Sequence, residues 1–236
     1  MAAAPRIVGL LAVLGLASAA SAQIPWGGGM ASGSGTFFSW ANGQNQTGLF
    51  GTPFLVGDTF YFTPANFVAN ATNGATVAVT DTFSVDLFVH PGYKFDGIMV
   101  AEYGDYTITS AGSPVGTNQV DATGILRVDE IGGLGRNDTQ PLAFPALPVQ
   151  TQGAASGLWQ GDGASNLTLL EGATPFTQIT LKVTNNLIAI SGGAGQAATI
   201  RKTVFGGMMA VTIVPAPGVA GVLAMAGLVA AGRRRR

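Results

Sequence analysis

The chain has 236 residues, 47% hydrophobic and only 10% charged, with a formal net charge of −1 and no cysteine, which rules out disulfides, thiolate metal sites and cysteine nucleophiles. Setting aside residues 1–22 and 214–236 leaves six Lys/Arg against all 12 Asp/Glu, a balance of −6, and with Arg201-Lys202 as the one adjacent cation pair this middle lacks the basic surface that nucleic-acid binding needs. The 35 glycines, with abundant Thr, Asn and Ser, disfavour long helices and suit short strands joined by tight turns.

The N-terminus reads MAAAPRIVGLLAVLGLASAASAQ, with Arg6 as its one charge, an apolar run from Ile7 to Ala17 and small residues before Gln23. This is the layout of a secretory signal peptide over residues 1–22, with cleavage between Ala22 and Gln23. The chain therefore reads as exported, with a single domain over 23–213.

Strands are expected first at Thr36 to Trp40, Asp58 to Phe62 and Thr76 to Thr80. Residues 82–90, TFSVDLFVH, then alternate strictly, with Phe83, Val85, Leu87 and Val89 on one side, which is the period of a half-buried strand. Pro91-Gly92 fits the central positions of a type II turn, so Tyr93 to Glu102 is expected to return as the second strand of a hairpin. Further strands are expected at Tyr106 to Ser110 and Gly124 to Glu130. Residues 131–175, rich in Gly, Pro and Gln, read as a long irregular excursion with at most a short hairpin. TQITLKVTNNLIAIS at 177–191 predicts a second hairpin turning at Asn185-Asn186, followed by strands at Ala198 to Phe205 and Met208 to Val214. Strands spaced about ten residues apart predict an all-β, antiparallel two-sheet sandwich, with a jelly-roll-like order as one form of it.

The candidate chemistry is sparse. His90, the only histidine, could face Asp86 but has no nucleophile context beside it, and reads as a solvated strand-end residue. Asp96, Glu102 and Asp105, or Asp129 and Glu130, are the carboxylate pairs that glycoside hydrolysis would require. Adjacent strand residues point to opposite faces, however, and Glu102 and Asp105 flank Gly104 at an expected exposed turn. GDGASN at 161–166 offers Asp162 and Asn166 as hard oxygen ligands for Ca²⁺ without the regular spacing of a calcium loop. No catalytic residue, metal or other cofactor is assigned, and the domain reads as non-enzymatic. Trp26, Trp40, Trp159, Tyr61, Tyr93, Tyr103 and Tyr106 are the rings available for stacking on sugars, with core packing as the alternative role. Tyr61, between Phe60 and Phe62, is expected as a single exposed ring.

The chain ends VPAPGVAGVLAMAGLVAAGRRRR. Pro215, Pro217 and Gly218 break the start of the apolar stretch, so the uninterrupted helix runs from Val219 to Gly232, about 21 Å at ~1.5 Å per residue. That is short for a ~30 Å hydrocarbon core. Arg233, Arg234, Arg235 and Arg236 would stay cytoplasmic, leaving the domain outside. A Pro-x-Pro-Gly element (Pro215, Ala216, Pro217, Gly218), a short apolar helix and an arginine cluster together resemble the PEP-CTERM sorting signal of exported bacterial proteins, with Ala216 where the family name has Glu. Residues 50–130, with their TPANF and GDY elements, resemble the globular parts of other such proteins. The resemblance implies export machinery and an exosortase-like processing enzyme as partners, residence in the inner membrane before processing, and a cell-surface or matrix destination. It also makes extracellular polysaccharide a sensible contact, whether the domain binds or cleaves it.

Overall fold

The computed structural model describes residues 23–64, 66–111, 116–172, 174–202 and 209–218. The expected signal peptide, Ala22 at its cleavage bond, the short apolar helix after Gly218 and Arg233 to Arg236 lie outside the described residues. The described chain is all-β, built from β1 (Ile24–Pro25), β2 (Gly33–Ser34), β3 (Phe38–Asn45), β4 (Phe54–Val56), β5 (Thr59–Phe62), β6 (Val68–Thr72), β7 (Thr76–Val89), β8 (Tyr93–Ser110), β9 (Asn118–Glu130), β10 (Asn137–Pro141), β11 (Val149–Thr151), β12 (Ala155–Asn166), β13 (Gln178–Ile190), β14 (Gln196–Arg201) and β15 (Met209–Pro217). One 3-10 turn, Leu167–Leu169, follows β12. No helix among the described residues is long and apolar enough to cross a membrane.

The strands form two antiparallel sheets. Sheet A has the order β1-β3-β7-β13-β9-β10, with β2 beside β3 and β11 beside β9. Sheet B has the order β4-β5-β15-β8-β14-β6, with β12 on the other edge of β8. The sandwich expected from the sequence is therefore present. Alternation drives it: Ile179, Leu181, Val183, Leu187 and Ala189 of β13 and Phe83, Val85 and Leu87 of β7 are buried, while their neighbours along each strand are not. Opposing residues from sheet B, including Phe60, Phe62, Phe95, Ile98 and Val100, complete one core. Its densest part is aromatic, with Phe62 stacked on Phe83 at 4.6 Å and Trp26 edge-on to Phe62 at 5.5 Å.

Three expectations are corrected. Pro91-Gly92 does make a type II turn, with Tyr93 N–H donating to the His90 carbonyl at 3.1 Å and Gly92 at φ 89°. The turn nevertheless joins β7 of sheet A to β8 of sheet B and closes no hairpin, because β3 and β13 already occupy both edges of β7. Asn185-Asn186 is not a turn. Both residues sit within β13, which pairs continuously with β7 and β9, and ladders on both edges outweigh the local turn preference of two asparagines. Within 131–175 the expected loop contains β12, twelve residues in unbroken register with Gly97 to Ile108 of β8. Its composition hides it, since glycine is a poor strand former. Gly161, however, lies where a Cβ would come 2.4 Å from the Phe144 ring, so the missing side chain is what lets the 141–149 segment pack. At the other end, β15 continues through the boundary expected at 213 to Pro217, with Ala216 opposite Lys94.

Candidate functional site

The most unusual feature of the core is polar. Lys202 follows β14, whose last residue, Arg201, faces outward and grips Asp105 at 2.8 Å. Strand alternation then turns Lys202 inward, with its backbone N–H donating to the Phe67 carbonyl at 3.0 Å. Its ammonium nitrogen lies 5.3 Å from the Phe67 ring centre, 5.5 Å from that of Phe50 and 5.8 Å from that of Trp159. Lys202 bonds Glu102 Oε2. The other oxygen, Oε1, accepts from Asn185 Nδ2 at 2.8 Å. Lys202, Glu102 and Asn185 are 1%, 0% and 1% exposed, so one carboxyl group bridges an amine and a carboxamide in a dry, aromatic-lined space between the sheets. Burial pushes the Lys202 amine below its usual range, opposed by the charge and hydrogen bond of Glu102. Asn185 Oδ1 is buried without a hydrogen-bond partner.

The sequence singled out Glu102 as a solvated turn residue, and the structure overturns that reading. Gly104 is in mid-strand, β8 runs unbroken to Ser110, and Glu102 points into the core. Lys202 and Asn185 were not selected by sequence reasoning. The one available signal was Arg201-Lys202 itself, since adjacent strand cations cannot both face water.

A second feature lies on the outer face of sheet B. Asp162, Ala101, Ala210, Tyr61 and Phe54 stand directly opposite one another across β12, β8, β15, β5 and β4. Tyr61 and Phe54 stack with ring centres 5.6 Å apart and planes inclined by 23°. The expected single ring is thus a stacked pair. Two residues along β8 from Ala101, on the same face, Tyr103 is 42% exposed, and the small residues Ala101 and Ala210 stand in register between Asp162 and Tyr61.

The remaining candidates are dispersed. His90 contacts Ser34 Oγ at 3.3 Å and the Thr36 carbonyl at 3.1 Å, whereas Asp86 accepts from Thr180 Oγ1 at 2.6 Å and Asn42 Nδ2 at 2.7 Å. The two do not meet. Asp96 accepts from the Thr168 hydroxyl, Asp129 pairs with Arg127 at 2.8 Å, and Glu130 pairs with Arg136 at 2.6 Å. Asp162 and Asn166 lie along β12 and do not form a loop, and no group of three or more His, Asp or Glu residues that could hold a metal ion occurs among the described residues. Trp26, Trp40 and Trp159 are core residues at 3%, 7% and 2% exposure, each donating its indole N–H, to Asn45, Met30 and Asp105 respectively. Tyr93 packs on Phe37 at 5.0 Å.

No protein-family model matches the chain, and no curated protein matches it. Among solved structures, it is similar to a "Family 16 Carbohydrate Binding Module-2" at 7% identity and a TM-score of 0.19, covering 66% of this chain and 76% of the other. It is also similar to a chain of the T13 viral particle of infectious bursal disease virus at 13% identity and a TM-score of 0.24, covering 67% of this chain and 40% of that one. A third likeness, to a structure describing carbohydrate-binding modules of the β-sandwich superfamily, has 10% identity and a TM-score of 0.15, and covers 61% of this chain and 70% of the other. None superposes closely enough to transfer a site or an activity.

Proposed function

We propose that this chain is an exported, non-enzymatic protein of the cell envelope or extracellular matrix, led out by residues 1–22 and sorted through residues 214–236 by an exosortase-like enzyme. The observation that carries the reading is the sequence at the two ends, a tripartite leader and a Pro-x-Pro-Gly element followed by a short apolar stretch and four arginines. The sandwich between them is compatible with it, because three of the candidate carboxylates, Asp129, Glu130 and Asp105, are each held by a separate arginine, Arg127, Arg136 and Arg201, and do not converge on a common point. Expression of the full chain with and without the processing enzyme tests it. A membrane-bound species that keeps its tail is expected without the enzyme, and a released, tail-less one with it. Retention of the tail in both cases would replace sorting by permanent anchoring.

A second reading, contact with extracellular polysaccharide, is favoured by the Phe54-Tyr61 stack in register with Ala210 on the outer face of sheet B. Partly exposed aromatic rings offer flat apolar surface against which a pyranose ring can pack. Affinity electrophoresis of the wild type in gels cast with soluble polysaccharides should show retardation that Phe54→Ala with Tyr61→Ala abolishes. Equal mobility of both proteins in every gel removes this reading and leaves the first intact.

A further inference from the structure

The buried triad does more than pair charges. We propose that Lys202 and Asn185 join in an intramolecular amide cross-link, Nζ bonding to Asn185 Cγ while the amide nitrogen leaves as ammonia, with Glu102 carrying the protons between them. The geometry supplies each part. Glu102 holds the amine on Oε2 and the leaving nitrogen on Oε1, so nucleophile and carboxamide are gathered on one proton carrier before any bond changes, and such gathering replaces a bimolecular encounter. All three residues are sealed from water, which keeps hydrolysis out of the site.

A buried ion pair costs several kcal/mol per charge to desolvate, and moving the Lys202 proton to Glu102 removes both charges. The same transfer leaves a free amine, the nucleophilic form, in agreement with the effect of burial on Lys202. It also gives Glu102 a proton to pass to Asn185 Nδ2, the leaving nitrogen already held on Oε1. Nζ attacks Cγ, and the tetrahedral centre returns one Nζ proton to Glu102 as Glu102 protonates Nδ2. The Cγ–Nδ2 bond then breaks, ammonia departs, and Glu102 ends as the carboxylic acid bonded to the new amide. Atoms and charge balance without an external reactant.

The product ties β13 of sheet A to the end of β14 in sheet B. An exported chain without cysteine would thereby gain a covalent staple indifferent to redox conditions.

Peptide mapping of the purified full chain after denaturation and trypsin digestion decides the matter. The expected product is one branched peptide joining 183–201 to the fragment that begins at Lys202, lighter than the two sequences by one ammonia, with no cleavage after Lys202. Unbranched peptides at their sequence masses would overturn the proposal. A branch onto Glu102, lighter by one water, would overturn the assignment of Asn185. Asn185→Asp should still branch, with loss of water in place of ammonia, and Glu102→Gln should not. Branching in Glu102→Gln would remove the role given to that residue, and should that variant fail to fold, the wild type and Asn185→Asp carry the test.

Discussion

Trp159 and Gly104 stand directly opposite each other in the β8–β12 ladder, and the indole occupies the space that a side chain on Gly104 would need. A Cβ there would lie 2.2 Å from Trp159 ring carbons and 2.1 Å from the Arg201 carbonyl oxygen. The second contact is with backbone, so rotating a side chain cannot relieve it. Gly104→Ala is therefore expected at the upper end of the ~1–3 kcal/mol range for overpacked cores. At roughly 2–4 °C per kcal/mol for a domain of this size, thermal unfolding should show Tm lower by about 6–12 °C. The displaced indole is also one wall of the Lys202 pocket, so the fraction of branched peptide should fall with it.

Asp81 organises the loop after β3. It is fully buried, and its carboxylate accepts from the backbone N–H groups of Thr47 at 2.8 Å, Leu49 at 2.7 Å and Phe50 at 3.2 Å. Each buried donor left unpaired costs about 1–3 kcal/mol. Asp81→Ala should therefore lower the urea midpoint by the equivalent of about 3 kcal/mol or more, with an unchanged m-value if the unfolded ensemble is unaffected. Asp81→Asn should be nearly as harmful, because its NH₂ would point a donor at donors.

The Glu130–Arg136 pair sets an acid limit. Two guanidinium nitrogens, Nε and Nη2, bond the carboxylate, Nη1 reaches the Glu171 and Thr174 carbonyls at 2.6 and 2.7 Å, and the guanidinium lies 3.9 Å over Phe176. The Arg136 hydrogen bond holds the Glu130 carboxyl down to about 2 from an ordinary 4.5. A depressed folded-state pKa stabilises above the unfolded value and loses that contribution as pH falls through the folded one. The pair should contribute fully above pH 4.5 and disappear towards pH 2. The loss is about 1 kcal/mol after solvent screening. Denaturation midpoints measured across that window should have a shallower acid slope in Glu130→Gln than in the wild type.

How much of this was legible depends on whether the controlling force was local. The β7 and β13 faces were readable because alternate residues must face opposite sides of a sheet, and so was the turn at Pro91-Gly92, whose backbone angles those two residues fix. Which sheet the chain joins after that turn is decided by the edges of β7, already taken by strands far away in sequence, and no residue near the turn records it. The 155–166 strand was illegible because its glycines deny propensity, while its stability comes from twelve pairs with β8. Glu102 was misread for a related reason. Its partner Lys202 is 100 residues away, and the neighbouring Gly104, which signals a turn by composition, is there to admit an indole.

If the proposed sorting includes a cut, the last strand constrains where that cut can fall. Beyond a bulge between Val214 and Pro215, β15 keeps its register with β8, placing Pro215, Ala216 and Pro217 opposite Phe95, Lys94 and Tyr93, and Gly218 N–H donates to the Gly92 carbonyl at 2.8 Å. Its other neighbour, β5, has its last paired residue at Thr212, so both prolines fall where β15 has an open edge, the setting in which a missing N–H is tolerated. The Pro-x-Pro element is thus the end of a sheet strand, whatever part it plays in the proposed sorting. A cut before Pro215 would strip the terminal pairs from β8 and uncover the Pro91-Gly92 turn, whereas a cut after Gly218 would leave every described contact in place. The mature C-terminus, read by mass spectrometry of the processed protein, is therefore expected beyond Pro217. Chains ending at 218 and at 213 should differ accordingly, the shorter being less stable by about 1–2 kcal/mol, one or two net hydrogen bonds, in urea unfolding. A mature terminus before Pro215, or equal stability of the two chains, would overturn the structural role given to these residues.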